Sequence, residues 1–231
     1  MKTEIIKQEN GKTKIIIYNK NSNRIPIIFL PGFNMKPKDY NKYLTKLKNK
    51  KIYAISPFES RPRIRSVEDY VDLLQQTIKH FKIKNFDLIG HSLGGGTALK
   101  ANEKISPRKI VAINPLLEVN YKYPGYIKRF TRMARRKFIK RFFLYVAFTK
   151  RLLLNAYPLN KLLKNIESFK LKKIKTPTLI LLAKKDEFFS EENIPKKKFN
   201  KLKIIKTNGR HFNLVSFSEE ISKYTLDFLK N

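Results

Sequence analysis

The chain has no cysteine, only three histidines, and only 18 acidic residues against 51 Lys and Arg. Without cysteine, disulfides and thiolate metal sites are excluded. The histidines lack metal-ligand spacing, so no zinc site is expected, and nothing calls for an organic cofactor. No apolar run approaches the roughly 20 residues of a membrane-spanning helix. The first residues, Met1 to Lys7, lack the apolar core of a signal peptide, so the expected location is the cytoplasm. Internal repeats and low-complexity linkers are also missing. The shortage of acids leaves a formal net charge of +33. Abundant Lys, Ile and Asn fit the residue usage of an AT-rich genome, but that does not account for so few acids. Such a charge favours contact with polyanions or anionic membrane surfaces, and by itself does not mark a nucleic-acid binder.

What is present is 231 residues, 42% of them hydrophobic, enough for one sizeable α/β domain with room for an insertion. Short apolar or alternating runs read as strands at 3–8, 13–18, 25–30, 51–55, 86–89, 109–114, 178–183 and 202–206. Helical spacing is expected over 37–48, 66–81, 93–104 and 218–229. Ser66 is a natural N-cap, and Glu68 and Asp69 lie in the positive first turn behind it. Ser56-Pro57 reads as the start of a loop. Strands alternating with helices predict a mostly parallel sheet with helices on both faces, and an active site at the carboxyl ends of the strands.

Around Ser92, the run Phe86-Asp87-Leu88-Ile89 leads into Gly90-His91-Ser92-Leu93-Gly94-Gly95. Gly-x-Ser-x-Gly between a strand and a helix is the signature of a nucleophile elbow, where small neighbours allow a strained serine to project. The turn aims the amide of Leu93, at a helix N-terminus, to where an oxyanion would form. A serine hydroxyl needs a base, and histidine has the suitable pKa. His80 falls late in an amphipathic helix. His91 adjoins the serine and should point away from it. His211, in a loop between the last strand and the last helix, remains. An acid must orient that histidine. Asp186 follows the strand 178–183, with Glu187 as its competitor. Ser92, Asp186, His211 is the chain order of the α/β-hydrolase triad.

These motifs, with Phe29-Leu30-Pro31-Gly32-Phe33, Thr176 to Ile180, and Gly209-Arg210-His211-Phe212, resemble the α/β-hydrolase fold superfamily over nearly the whole chain. Its members include monoglyceride lipases, lysophospholipases and small carboxylesterases. The resemblance implies Ser92 as nucleophile, His211 as general base, Asp186 as orienting acid, and the amides of Phe33 and Leu93 as oxyanion hole. Many relatives carry His-Gly before the oxyanion residue. Pro31-Gly32 stands here, which bears on how the loop is braced. Asn34, next in line, reads as a turn former.

The resemblance also implies a division into a core, 1–115 with 171–231, and a basic helical cap, 116–170. In the cap stretch, Ile127, Phe130, Ala134, Phe138, Phe142 and Val146 form an apolar stripe at helical spacing among lysines and arginines. The stripe could rest on the core or dip into an anionic membrane. The expected activity is ester hydrolysis through an acyl-enzyme, on a lipid-like ester such as a monoacylglycerol or lysophospholipid. Alternatives are a thioesterase or amidase using the same residues, or an inactive hydrolase-fold protein on a polyanion or membrane surface. No specific nucleic acid is expected as a partner.

Overall fold

A computed structural model of the chain describes residues 1–8, 11–47, 49–61, 64–117, 170–212, 214 and 217–230. The expected cap, 116–170, lies almost entirely outside the described residues.

Eight strands form one sheet: β1 (Lys2–Gln8), β2 (Gly11–Tyr18), β3 (Ile27–Leu30), β4 (Ile52–Arg61), β5 (Asp87–His91), β6 (Lys109–Ile113), β7 (Thr178–Ala183) and β8 (Leu202–Thr207). Their order is β1-β2-β4-β3-β5-β6-β7-β8. From β4 to β8 all neighbours are parallel, and β1 and β2 are antiparallel additions at one edge. The four described α-helices are α1 (Asn41–Leu44), α2 (Val67–His80), α3 (Leu93–Ala101) and α4 (Ser218–Lys230). This is the mostly parallel sheet that the strand and helix alternation predicts, in the α/β-hydrolase fold that the resemblance implies.

Alternate residues of the central strands divide the core into two layers, as the period of a strand requires. Ile28, Leu30, Leu88, Ile110, Ala112 and Ile180 face α2 and α3, where Tyr70, Val71, Leu74 and Leu99 pack. Ile27, Phe29, Ile89, Val111, Ile113 and Leu179 face a second layer made by Tyr40, Tyr43 and Leu44 together with Ile221 and Leu229 of α4. With both faces covered, β3, β5, β6 and β7 are buried along their whole length, which explains why their central residues are apolar on both faces and polar side chains stand only at their ends. The predicted start of α2 forms as expected: Ser66 Oγ accepts from Asp69 N at 2.9 Å, and Asp69 Oδ2 accepts from Ser66 N at 3.1 Å.

Two expectations are corrected. Ser56-Pro57 does not end its strand, because β4 continues to Arg61 along β2, with an irregular register between Lys12 and Lys14. Within that irregular stretch Ser56 Oγ donates to Glu59 Oε2 at 2.6 Å, and Ser60 Oγ donates to the Ser56 carbonyl at 2.8 Å. A proline is tolerated where the ladder is already broken. The helix expected over 37–48 is a 3-10 turn, Pro37–Tyr40, followed by the single turn α1. Its apolar residues Tyr40, Tyr43, Leu44 and Leu47 are nevertheless all buried. Among the described residues, no helix is long and apolar enough to cross a membrane.

Candidate active site

The candidate site lies where the carboxyl ends of β3, β5, β6, β7 and β8 converge. Ser92 follows β5 with φ 53° and ψ −118°, a left-handed conformation that a serine adopts only under constraint. The constraint is visible on both sides. Ser92 N donates to Ile113 O at 2.9 Å, and Ser92 O accepts from Leu116 N at 2.8 Å and Gly96 N at 3.0 Å. The flanking glycines permit the turn by close approach. A Cβ on Gly90 would fall 2.1 Å from Gly94 O, and one on Gly94 would fall 2.1 Å from Leu30 O. No side chain fits at either place.

Ser92, His211 and Asp186 are brought together. His211 Nδ1 lies 2.9 Å from Asp186 Oδ2, and His211 Nε2 lies 2.9 Å from Ser92 Oγ. An ionised carboxylate only accepts, so Nδ1 carries the proton, and Nε2 is left to accept from the serine hydroxyl. Asp186 is fixed in turn: its Oδ1 accepts from Phe188 N at 2.7 Å and Phe189 N at 3.0 Å. Its side chain is 1% exposed. The ring of His211 stands edge-on to Phe188 and Phe212, at centroid distances of 4.8 and 5.1 Å, which limits its rotation. Glu187, the competitor for the acid position, turns elsewhere. Its Oε1 accepts from Arg210 Nη1 at 3.0 Å, and its Oε2 accepts from the His211 amide at 3.3 Å. It holds the loop that carries the histidine.

Leu93 is the first residue of α3, so its amide belongs to the helix-start N–H groups without an intrahelical acceptor. Phe33 occupies the turn after β3 that Met35 N closes by donating to Gly32 O at 3.1 Å. Pro31-Gly32 is braced by two buried tyrosines. Gly32 N donates to Tyr40 Oη at 2.9 Å, and Tyr70 Oη donates to the Pro31 carbonyl at 3.3 Å. Burial pushes both hydroxyls well above the usual tyrosine range, so they stay neutral.

Three further polar residues at the site carried no functional signal in the sequence. Asn114, just past β6 with φ 43°, donates from Nδ2 to the His211 carbonyl at 2.7 Å and accepts at Oδ1 from Ala183 N at 2.8 Å. It ties the histidine loop to the end of β7. His91 points away from Ser92, as strand alternation predicts. It is fully buried, with Nδ1 2.9 Å from Tyr40 Oη and Nε2 3.0 Å from the His211 carbonyl. Tyr40 is the third. An asparagine closing an apolar strand, and tyrosines at otherwise aliphatic core positions, are the available clues, since buried polar tips need partners. His80 is remote from this constellation, stacked edge-on with Phe81 at 4.8 Å.

Solved structures share the whole fold. An enol-lactonase from Burkholderia xenovorans LB400 superposes with a TM-score of 0.82 at 12% identity, covering 99% of this chain and 100% of that one. An alpha/beta hydrolase fold protein from Chitinophaga pinensis gives 0.80 at 17% identity, covering 98% and 96%. A thermophilic esterase from Thermogutta terrifontis gives 0.76 at 13% identity, covering 100% and 98%. At such identities the likeness is one of fold. No curated protein matches the chain. A family model described as "Uncharacterised protein family (UPF0227)" matches residues 26–229, and the chain belongs to that family.

Proposed function

We propose that the protein is a serine hydrolase that cleaves carboxylic esters through an acyl-enzyme. One observation carries the reading: Ser92 Oγ, the His211 ring and the Asp186 carboxylate form a continuous chain with two contacts of 2.9 Å. A base within hydrogen-bond reach of the hydroxyl, an acid that orients it, and an elbow that projects the serine are what nucleophilic activation needs.

In this mechanism Ser92 Oγ attacks the ester carbonyl while His211 Nε2 takes its proton. The tetrahedral oxyanion is received by the amides of Phe33 and Leu93, each such donor contributing on the order of 3 kcal/mol to the barrier. The intermediate collapses as His211 gives the proton to the departing alcohol. Water then enters, loses a proton to His211 and attacks the acyl carbon. His211 returns the proton to Ser92 Oγ as the acid leaves. Asp186 stays ionised and stabilises the imidazolium.

A lipid-like ester, such as a monoacylglycerol or lysophospholipid, is the substrate class this reading favours. Support comes from the basic, aromatic sequence of 116–170, which also favours docking on an anionic membrane. Some proteins of this fold are described as a lactonase or an esterase, which is compatible with acyl transfer from oxygen.

A fluorophosphonate probe tests the reading directly. Wild type becomes labelled and Ser92→Ala does not. An unlabelled wild type removes the proposal. With p-nitrophenyl esters of increasing chain length, a rate that rises with length favours the lipid-like substrate, and one that falls beyond butyrate refutes it. Flotation with vesicles, with and without phosphatidylserine, tests the membrane docking. Equal recovery in the two would rule it out.

A further inference from the structure

We propose that Tyr40 and His91 form a positioning relay that couples the oxyanion loop to the loop bearing His211, so that the hole and the base are set as one unit. The inference rests on the hydrolase reading of Ser92 and His211.

The relay has two fixed ends. Gly32 N–H can only donate and the His211 carbonyl can only accept. Gly32 N donates to Tyr40 Oη at 2.9 Å. The His211 carbonyl, 3.0 Å from His91 Nε2, requires a proton on that nitrogen. His91 Nδ1 is then the acceptor, and Tyr40 Oη donates to it at 2.9 Å. One arrangement of hydrogens satisfies every contact: Gly32 to Tyr40 to His91 to His211. The two histidines hold opposite tautomers, Nε2–H in His91 and Nδ1–H in His211.

A charged His91 would break this order. A second ring proton on Nδ1 would point at Tyr40 Oη and deprive the Tyr40 O–H of its acceptor. The charge would also be enclosed beside His211. Burial, and then the neighbouring His211, push His91 down to about 3. Tyr40 stays a donor because burial raises its hydroxyl.

The loop sits directly on the relay. A Cβ at Gly32 would meet His91 Nδ1 at 3.0 Å, Tyr40 Oη at 3.1 Å and Ser92 Cβ at 3.2 Å. Displacing Gly32 therefore displaces the relay, and with it the peptide of His211. Asn114 donates to the same carbonyl at 2.7 Å, tying that peptide to β7, whereas His91 ties it to the loop of Phe33. Inside Gly-x-Ser-x-Gly, the residue before the nucleophile faces the opposite side of the strand, and His91 uses that position to reach both loops.

Tyr40→Phe, His91→Leu and His91→Gln in the full chain test the relay. Phosphonylation of Ser92 by the fluorophosphonate slows roughly 10- to 100-fold in Tyr40→Phe and His91→Leu, the expected consequence of a small misplacement. For p-nitrophenyl butyrate, kcat falls and KM stays within about twofold, the mark of an interaction that acts in the transition state. Glutamine can donate to the His211 carbonyl and accept from Tyr40, so His91→Gln regains most of the lost rate. In 15N spectra wild-type His91 is the neutral Nε2–H tautomer at pH 5, and Tyr40→Phe shifts the His211 signals. Wild-type rates in both Tyr40→Phe and His91→Leu overturn the relay, as does His91→Gln being as slow as His91→Leu, or a Nδ1–H tautomer. Should wild type resist the probe, the hydrolase reading fails by itself, and the 15N spectra still decide whether the relay exists.

Discussion

At the start of β5, Asp87 is buried with its charge compensated three ways. Arg108 grips it through Nε and Nη2 at 2.8 and 2.9 Å, and Lys50 Nζ stands 3.2 Å away. Arg108 and Lys109 continue to the last turn of α4, donating to the carbonyls of Leu229 and Phe228, each at 2.7 Å. A helix C-terminus favours such cations. Just past the other end of the same strand, Ser92 holds a left-handed backbone, and its surroundings are neutral dipoles: Tyr40, His91 and Asn114. Asp186 is paired with His211 there, and Glu187 with Arg210 at the more exposed rim. The amino end locks the sheet to α4 with ions. The carboxyl end keeps backbone strain at Ser92, held in place by directional hydrogen bonds.

Damage at the two ends therefore has different readouts. The largest effect belongs to the carboxyl end. In Asp186→Asn, Oδ1 can still accept from the Phe188 and Phe189 amides, but the amide nitrogen faces His211 Nδ1 and favours the wrong tautomer. On the proposed mechanism kcat falls about 10⁴-fold, while urea unfolding stays close to wild type. A loss of stability matching the loss of rate would erase the contrast.

Arg108→Leu probes the amino end. It leaves a buried carboxylate with one partner, and the expected cost is about 3 kcal/mol, read by urea denaturation. The kcat of the folded fraction should be unchanged. A fall in kcat without loss of stability would mean that the ion cluster reaches the chemistry.

The third effect is a pH dependence. His91 is depressed from 6.5 to about 3. Below pH 6.5 the unfolded chain binds a proton that the native state refuses, so stability rises with pH across this window and is lost as pH falls. The slope is at most about 1.4 kcal/mol per pH unit. Glu59, where hydrogen bonds from Lys36 and Ser56 outweigh burial, is held below 4.5 and contributes only at more acid pH. Between pH 6.5 and 4.5, His91→Gln should therefore flatten the curve. An unchanged slope would place the proton elsewhere.

The contrast between the ends also explains what could be read from sequence. Buried strands such as β5 and β6 announce themselves because both faces are covered, and the elbow does so because two glycines must stand beside Ser92. Asp186 and His211 were legible through chain order and strand ends. What separates Asp186 from Glu187 in space is the partner each meets: Asp186 reaches the His211 ring, and Glu187 meets Arg210 and the His211 amide. Tyr40, His91 and Asn114 escaped because each acts through partners far along the chain: Tyr40 reaches His91, and Asn114 reaches His211. The continuation of β4 through Pro57 escaped because a bulge, not the ladder, accommodates that residue.

The smallest expected effect concerns Asn34, which stands between the two kinds of construction. It occupies the third position of the turn closed by Met35 N and Gly32 O, with φ 55°, where asparagine or glycine is favoured. It is 1% exposed, yet neither Oδ1 nor Nδ2 has a hydrogen-bond partner among the described residues. Glycine takes this backbone freely and removes a buried amide whose lack of partners costs about 1–3 kcal/mol, at the expense of a small void. Asn34→Gly should thus lie within about 1 kcal/mol of wild type, and Asn34→Ala below it, because alanine meets the left-handed strain without a glycine's freedom. Thermal melts of the pair decide this. If glycine matches wild type in stability but raises KM for ester substrates, the amide finds its partner in the substrate, and Asn34 joins the reactive end of the sheet. If both stability and KM hold, its place in the chain is set by the turn alone.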